Sequence, residues 1–236
     1  MHQDREKMLA KWVTKIFQSS NITLEKLSGD AGFRQYARFS VKDESYICVD
    51  APPKYSNNMA FVAIANLFNE HEIAAPQVFE CQKDEGFMCI SDLGNELFSN
   101  SLTLDNMGTQ YQLAIDELLK IARLPVEFSG YQLPVYDEAF LRLELSIFKE
   151  WLLESHLKIS LSPSDSRALE RCFEILIDSA LEQPQVFMHR DYHSRNIMTL
   201  SDGNIGIIDF QDAVKGPITY DIVSLLRDCY VKWPTK

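Results

Sequence analysis

Two apolar runs in the C-terminal half of the chain end in side chains able to do chemistry. Val186-Phe187-Met188 delivers His189-Arg190-Asp191, and Asn196 follows after four intervening residues. Ile205-Gly206-Ile207-Ile208 then delivers Asp209. Asp191 can accept or orient the proton of an attacking hydroxyl, while Asn196 and Asp209 offer hard oxygen ligands that suit magnesium bridging phosphates. Such a set fits phosphoryl transfer, which needs positioning and charge neutralisation more than covalent help. An ordinary hairpin with solvated ends, in which His189 and Arg190 only pack and pair, leaves the Asp, Asn and Asp spacing unexplained.

The elements that must position these groups are short strands. Asp202-Gly203 between the two runs is a hairpin signal, so the polar groups fall at the ends of paired strands. The order His-Arg-Asp, four residues, Asn, then a strand ending in Asp is the H-R-D-x-x-x-x-N loop and metal aspartate of kinase chemistry.

"HRDYHSRNIM", "IGIIDFQDA" and "GPITYDIVSLL" together resemble the aminoglycoside phosphotransferase and choline kinase branch of the protein-kinase-like fold. Within it, "LSGDAGFRQYARF" and "VDAPP" are similar to the bacterial kinases that phosphorylate the anomeric hydroxyl of N-acetylmuramate and N-acetylglucosamine. The resemblance implies an α+β bilobal fold, with a β-rich N-lobe over 1–94 and a mainly helical C-lobe over 95–236. ATP is then expected between the lobes, with Mg2+ on Asn196 and Asp209 and a small-molecule hydroxyl acceptor facing Asp191. Other acceptors of the branch, an aminoglycoside, choline or an amino acid, stay open, as does a non-catalytic nucleotide-binding module. The resemblance makes Asp221 a brace beneath the catalytic loop, a helix N-cap being the alternative, with His189 as further structural support. His193 and Arg195 are candidates for phosphate or acceptor contacts, and Asp212 either binds an acceptor hydroxyl or fixes the loop. The chain stops shortly after Asp221 where the resembled kinases continue with several helices, so a short C-lobe is expected.

Composition sets bounds. A hydrophobic share of 46% and a charged share of 24% are those of a globular protein. Net charge is −11 with no basic stripe, which speaks against a nucleic-acid partner. The acidic balance either attracts a cationic acceptor or serves solubility. Five cysteines, an odd number with no Cys-x-x-Cys pair, sit mostly in apolar runs and read as reduced, buried thiols. No apolar run is long enough to span a bilayer and no signal sequence opens the chain, so no membrane partner and a cytoplasmic location are expected.

Along the chain, residues Asp4 to Gln18 form an amphipathic helix to which no chemistry is assigned. Leu24 to Leu27, Phe33 to Val41 and Tyr46 to Val49 read as strands. Gly29, Asp30, Ala31 and Gly32 make the first turn, whose two glycines let backbone N–H groups approach phosphate oxygens, although a plain turn reads equally well. The third strand lacks the lysine a kinase uses for the phosphates, and Asp50 falls where it belongs. Arg34 and Arg38 share one strand face; either one of them supplies the missing charge, oriented by Asp50, or both are solvated strand arginines. Asn57 or Asn58 caps a helix through Phe68, and Glu70 and Glu72 near its end are candidates for a phosphate-linked ion pair or solvated carboxylates. Gln77 to Cys81 and Phe87 to Ile90 complete a five-stranded sheet, and the resemblance puts Asp92 and Leu93 at the hinge beside the nucleotide. Helices follow over Asp105 to Arg123, Tyr136 to Leu157 and Ser164 to Gln183, the last starting at Ser164 or Asp165. Glu144 and Glu150 either face a substrate or are solvated.

Overall fold

The structure, a computed structural model, describes residues 2–19, 21–27 and 33–234. Helix α1 (His2–Phe17) precedes three antiparallel strands, β1 (Glu25–Leu27), β2 (Gln35–Val41) and β3 (Glu44–Asp50). Helix α2 (Asn58–Glu70) follows, then β4 (Val78–Gln82) and β5 (Phe87–Ser91). The five strands form one sheet in the order β1-β2-β3-β5-β4. Lys42 and Asp43 both take positive φ, 52° and 68°, so a two-residue turn of the twist that suits hairpins joins β2 to β3. That turn pairs Val41 with Glu44, and hence Arg38 with Ile47 and Gln35 with Asp50.

Alternation along the strands then sorts the side chains onto two faces. Ala37, Phe39, Cys48, Phe87 and Cys89 form a core with Leu9 and Val13 of α1, and Trp12, Ile16 and Phe17 pack against it. Burial pushes the Cys48 and Cys89 thiols up to about 12, so neither ionises near neutrality. Cys172 and Cys229 are exposed, unlike the buried thiols expected from the sequence. At the far end of β3, Gly86 sits at φ 73° against the backbone of Ala51, where an added Cβ would lie 2.0 Å from the Ala51 carbonyl oxygen.

A single turn of helix, α3 (Phe98–Ser101), and α4 (Met107–Ile121) come next. A small hairpin, β6 (Glu127–Phe128) and β7 (Tyr131–Gln132), precedes α5 (Glu138–Ile147), which runs directly into a π-helical stretch, Phe148–His156. The sequence reads this span as one α-helix. Helix α6 (Pro163–Leu181) begins at a capping box between Ser162 and Asp165 with Pro163 in the first turn, earlier than the Ser164 or Asp165 start expected. Strands β8 (Gln185–Met188), β9 (Ile197–Thr199), β10 (Ile205–Ile207) and β11 (Val214–Pro217) then pair as β8 with β11 and β9 with β10. Between β10 and β11 lies one 3₁₀ turn, Phe210–Asp212, and α7 (Tyr220–Leu226) ends the regular structure.

The chain divides into two compact units. The first comprises Met1–Ala114, Ser194–Asp212 and Tyr230–Lys236, and holds the five-stranded sheet and the β9–β10 pair. The second comprises Ile115–His193 and Ala213–Cys229, with a core of Tyr136, Leu141, Ile177, Met188 and Val214. Among the described residues no helix is long and apolar enough to cross a membrane.

Candidate active site

The second unit holds the His-Arg-Asp loop. Strand β8 ends at Met188, and the chain turns sharply at Arg190, whose φ is 78°. Asp221, in the first turn of α7 and 3% exposed, accepts the His189 backbone N–H at 2.7 Å on one carboxylate oxygen and the Arg190 N–H at 2.9 Å on the other. Burial pushes this carboxyl up to about 7, against the pull of those two N–H groups and with a further push from the Asp191 charge. The N-cap of α7 is Thr219, so Asp221 serves the loop and not the helix end. Asp191 is exposed; its N–H donates to His189 Nδ1 at 3.3 Å and its carbonyl accepts the His193 N–H at 3.0 Å. Tyr192 is fully buried and anchors the loop, its ring 5.6 Å from that of the buried His189.

Asn196 and Asp209 lie in the first unit, at one end of the β9–β10 ladder. The pairing of Ile197 with Ile207 continues as a bond from the Ile208 N–H to the Asn196 carbonyl at 3.1 Å, bringing Asn196 opposite the residue before Asp209. Asp209 takes φ 63° and its Oδ1 accepts Gln211 Nε2 at 2.6 Å. Phe210 is buried between Phe61 and Phe68 of α2, ring centroids 5.0 and 5.2 Å away. One amide oxygen and one carboxylate form a hard-oxygen donor set that fits magnesium, which keeps water and phosphate oxygens in its remaining positions. Among the described residues no group of three or more His, Cys, Asp or Glu side chains could hold a metal by itself.

The nucleotide candidates divide. Gly29, Asp30, Ala31 and Gly32 lie outside the described residues. Arg38 is committed elsewhere: Nε and Nη2 donate to Asp92 at 2.6 and 2.8 Å, Nη2 also donates to the Gly94 carbonyl at 3.0 Å, and Nη1 donates to Asn95. Burial opposes the Asp92 charge, yet the Arg38 and Ser45 side chains and the Gly94 N–H hold its carboxyl below the usual range. Leu93 packs on β10, its Cδ1 3.0 Å from where a Cβ on Gly206 would stand.

Arg34 is less committed. Nη2 donates to the Asn57 carbonyl at 3.3 Å, its guanidinium carbon stands 5.5 Å from the Phe61 ring centroid, and its buried Nε has no partner. Burial pushes the neighbouring Tyr36 phenol up, Arg34 pulls it down and the Asp209 charge adds to the rise, so these three groups lie close together.

Asp50 does not orient either arginine. The two-residue turn places it on the α1 face of the sheet, opposite Arg38. There Arg5 of α1 donates to its carboxylate through Nη2 at 2.6 Å and through Nε at 3.0 and 3.2 Å. Arg5 also donates to the Glu85 carbonyl at 2.6 Å. Helix α1, given no chemistry from the sequence, therefore supplies the cation that neutralises this carboxylate.

Of the remaining candidates, His193 and Arg195 are half-buried and Asp212 is exposed. The Arg195 guanidinium stands 4.8 Å from the Tyr230 ring centroid. Glu144 is not merely solvated: its Oε1 accepts Arg190 Nε and Nη2 at 3.1 and 2.9 Å. Nothing in the local sequence marks this pair, whose members stand 46 residues apart.

The five-stranded sheet, the braced His-Arg-Asp loop and the β9–β10 pair that follows it in the chain are the parts of a kinase-like α+β fold. The model of the phosphotransferase enzyme family (APH) matches residues 23–236, and the chain belongs to that family. It is 40% identical over 212 residues to an N-acetylmuramate/N-acetylglucosamine kinase of Pseudomonas putida, covering 90% of this chain and 61% of the relative. A protein of the same name from Neisseria meningitidis serogroup B is 33% identical over 234 residues, covering 97% and 68%. The chain thus spans about three fifths of the length of the Pseudomonas relative. Among solved structures, an aminoglycoside phosphotransferase with GDP and kanamycin superposes with TM-score 0.67 at 20% identity, covering 93% of this chain and 77% of that one. The choline kinase LicA from Streptococcus pneumoniae gives 0.64 at 16% identity, covering 96% and 74%. At these identities the likeness establishes the fold.

Proposed function

We propose that the chain acts as an ATP-dependent kinase of a small-molecule hydroxyl, the anomeric hydroxyl of N-acetylmuramate or N-acetylglucosamine. The placement of Asn196 and Asp209 at one ladder end, in the chain segment directly following the braced Asp191 loop, carries the reaction class. The acceptor follows from the names of the relatives at 33–40% identity. Residues 1–94 handle the nucleotide and 95–236 supply the catalytic loop, metal and acceptor groups.

Asp191 accepts the proton of the acceptor hydroxyl as its oxygen bonds to the γ-phosphorus; the bond from that phosphorus to the β–γ bridging oxygen breaks and ADP leaves. Asn196 and Asp209 would hold magnesium, which when bound neutralises charge on the phosphate oxygens. Arg34 is the cation standing in for the absent strand lysine, because the Arg38 charge is already matched by Asp92. Asp92 and Leu93 flank the nucleotide at the hinge, and His193, Arg195 and Asp212 are the acceptor-side candidates.

The test incubates the purified chain with magnesium-ATP and a panel of N-acetylmuramate, N-acetylglucosamine, kanamycin and choline. Phosphate on the anomeric oxygen of the amino sugars is expected, and Asp191→Asn should lower kcat by about 10²–10⁴. Asp209→Ala should remove the thermal shift caused by magnesium-ATP. A thermal shift without turnover of any acceptor would make the chain a nucleotide-binding module instead.

A further inference from the structure

The arginine beside Asp191 is held by a helix that the reaction itself does not require. Both Nε and Nη2 of Arg190 converge on one oxygen of Glu144, and the other oxygen accepts the hydroxyl of Tyr136, a residue 2% exposed. Phe140, one turn earlier on α5, presents its ring to the guanidinium, with 4.9 Å from centroid to Cζ. The ion pair is itself shielded, with Arg190 and Glu144 side chains 29% and 23% exposed. A solvated surface pair contributes little and would not recruit a buried tyrosine to its second oxygen. This one is packed on two sides and satisfied at both carboxylate oxygens, which fixes the guanidinium in place.

What it fixes matters because of the backbone. Arg190 stands at φ 78°, a conformation that side chains with a Cβ adopt at a cost and that persists only where the surroundings over-determine it. Asp221 holds the two backbone N–H groups from one direction, and Glu144 holds the side chain from another. The next residue is Asp191, whose direction is set by the peptide that leaves Arg190.

We propose that Glu144 is a positioning residue that aims Asp191 through Arg190, and that it does permanently what a regulatory phosphate does in switchable kinases. In those, a loop is ordered when a phosphate added to the chain pairs with an arginine. Here α5 supplies the anion as part of the fold, so the loop is set without modification. The inference rests on the kinase reading for its catalytic consequence and on the ion-pair geometry alone for its effect on the loop.

Two readouts separate these. Glu144→Gln, Glu144→Ala, Arg190→Ala and the Glu144→Ala/Arg190→Ala double variant are prepared in the full chain. Amide hydrogen exchange across residues 188–193 should quicken about tenfold in Glu144→Ala, with α6 and the five-stranded sheet unchanged. The double variant should exchange no faster than Arg190→Ala. With an acceptor that is turned over, kcat should fall about 10–100-fold in Glu144→Ala while the KM for ATP stays constant, the mark of a misaimed group. The double variant should again match Arg190→Ala, since Glu144 acts only through the arginine.

A general loss of structure would quicken exchange throughout the second unit and change KM with kcat, and that result would overturn the proposal. So would additive effects in the double variant, or loop exchange indifferent to Glu144. If the wild-type chain phosphorylates nothing while loop exchange responds as expected, the functional reading fails and the brace stands.

Discussion

Replacing Asp221 with asparagine should change the pH dependence of stability in a way that one buried carboxyl dictates. Asp221 is pushed up to about 7 in the folded chain, from an ordinary value of 3.8. A carboxyl raised on folding favours the folded state while it is protonated. That contribution is complete below about pH 4 and is lost as pH rises toward 7. The corresponding free energy is about 4 kcal/mol. Asparagine has no proton to lose, so this component vanishes in the variant. Its side-chain oxygen can still accept one of the His189 and Arg190 N–H groups, but its amide presents a donor to the other. One orphaned N–H costs about 1–3 kcal/mol. Asp221→Asn should therefore be less stable than wild type by about 1–3 kcal/mol near pH 4 and more stable by a similar amount at pH 8. For a chain of this length that corresponds to several degrees in Tm, reversing sign within the window. Melting followed by circular dichroism from pH 4 to 8 on both proteins isolates the effect, because other titrating groups cancel in the difference. A difference that is flat with pH would refute the reasoning.

Arg38→Met should strand the Asp92 carboxylate, whose side chain is 8% exposed, and cost about 2–4 kcal/mol at pH 7 in urea titration. Asp92 is lowered on folding, so its contribution is present above the ordinary carboxylate value and fades as pH falls. The penalty should shrink below pH 4, and equal penalties at both pH values would contradict the pairing. Gly86→Ala drives a Cβ to 2.0 Å from the Ala51 carbonyl oxygen at φ 73°, and should destabilise by more than about 2 kcal/mol in the same assay. Arg5→Met leaves Asp50, 6% exposed, without its cation, and Asp50→Asn in the same chain should restore part of the lost Tm.

The His189-Arg190-Asp191 loop and the hairpin after it stood out in the sequence because the proposed chemistry demands particular residue types at fixed spacing over one short stretch. The five strands were legible from alternation and turns. Face and register were misjudged at Asp50, and a usable signal existed in Lys42-Asp43. A two-residue turn there forces Val41 to pair with Glu44, and counting outward puts Asp50 opposite Gln35, away from the arginine face. The Arg5–Asp50 and Glu144–Arg190 pairs join residues 45 and 46 positions apart. No local pattern carries such contacts, since each helix reads as amphipathic whichever partner its charged residue finds. The β6–β7 hairpin escaped notice because each of its strands has only two residues, too few for alternation to show. Its Ser129-Gly130 turn, φ 46° and 74°, was the one available cue.

The two carboxylates on which the proposed chemistry depends each stand at, or directly after, a residue of positive φ. Asp209 itself stands at φ 63°, and Asp191 directly follows Arg190 at φ 78°. Neither position is glycine, so each costs about 1–3 kcal/mol unless neighbouring contacts hold it. The compensation differs. For Arg190 it is polar, from Asp221 on the backbone and Glu144 on the side chain. For Asp209 it is mainly apolar, from Phe210 buried between two phenylalanines of α2, with Gln211 bonded to the carboxylate itself. Contacts that hold a costly conformation also fix the direction of the side chain they carry, and a carboxylate that meets a proton or a cation must be aimed before the reactants arrive. On the proposed reading the strain and its supports belong together: α5 holds the Arg190 side chain and α2 packs around Phe210, so two helices outside the proposed chemistry support the backbone from which its carboxylates project.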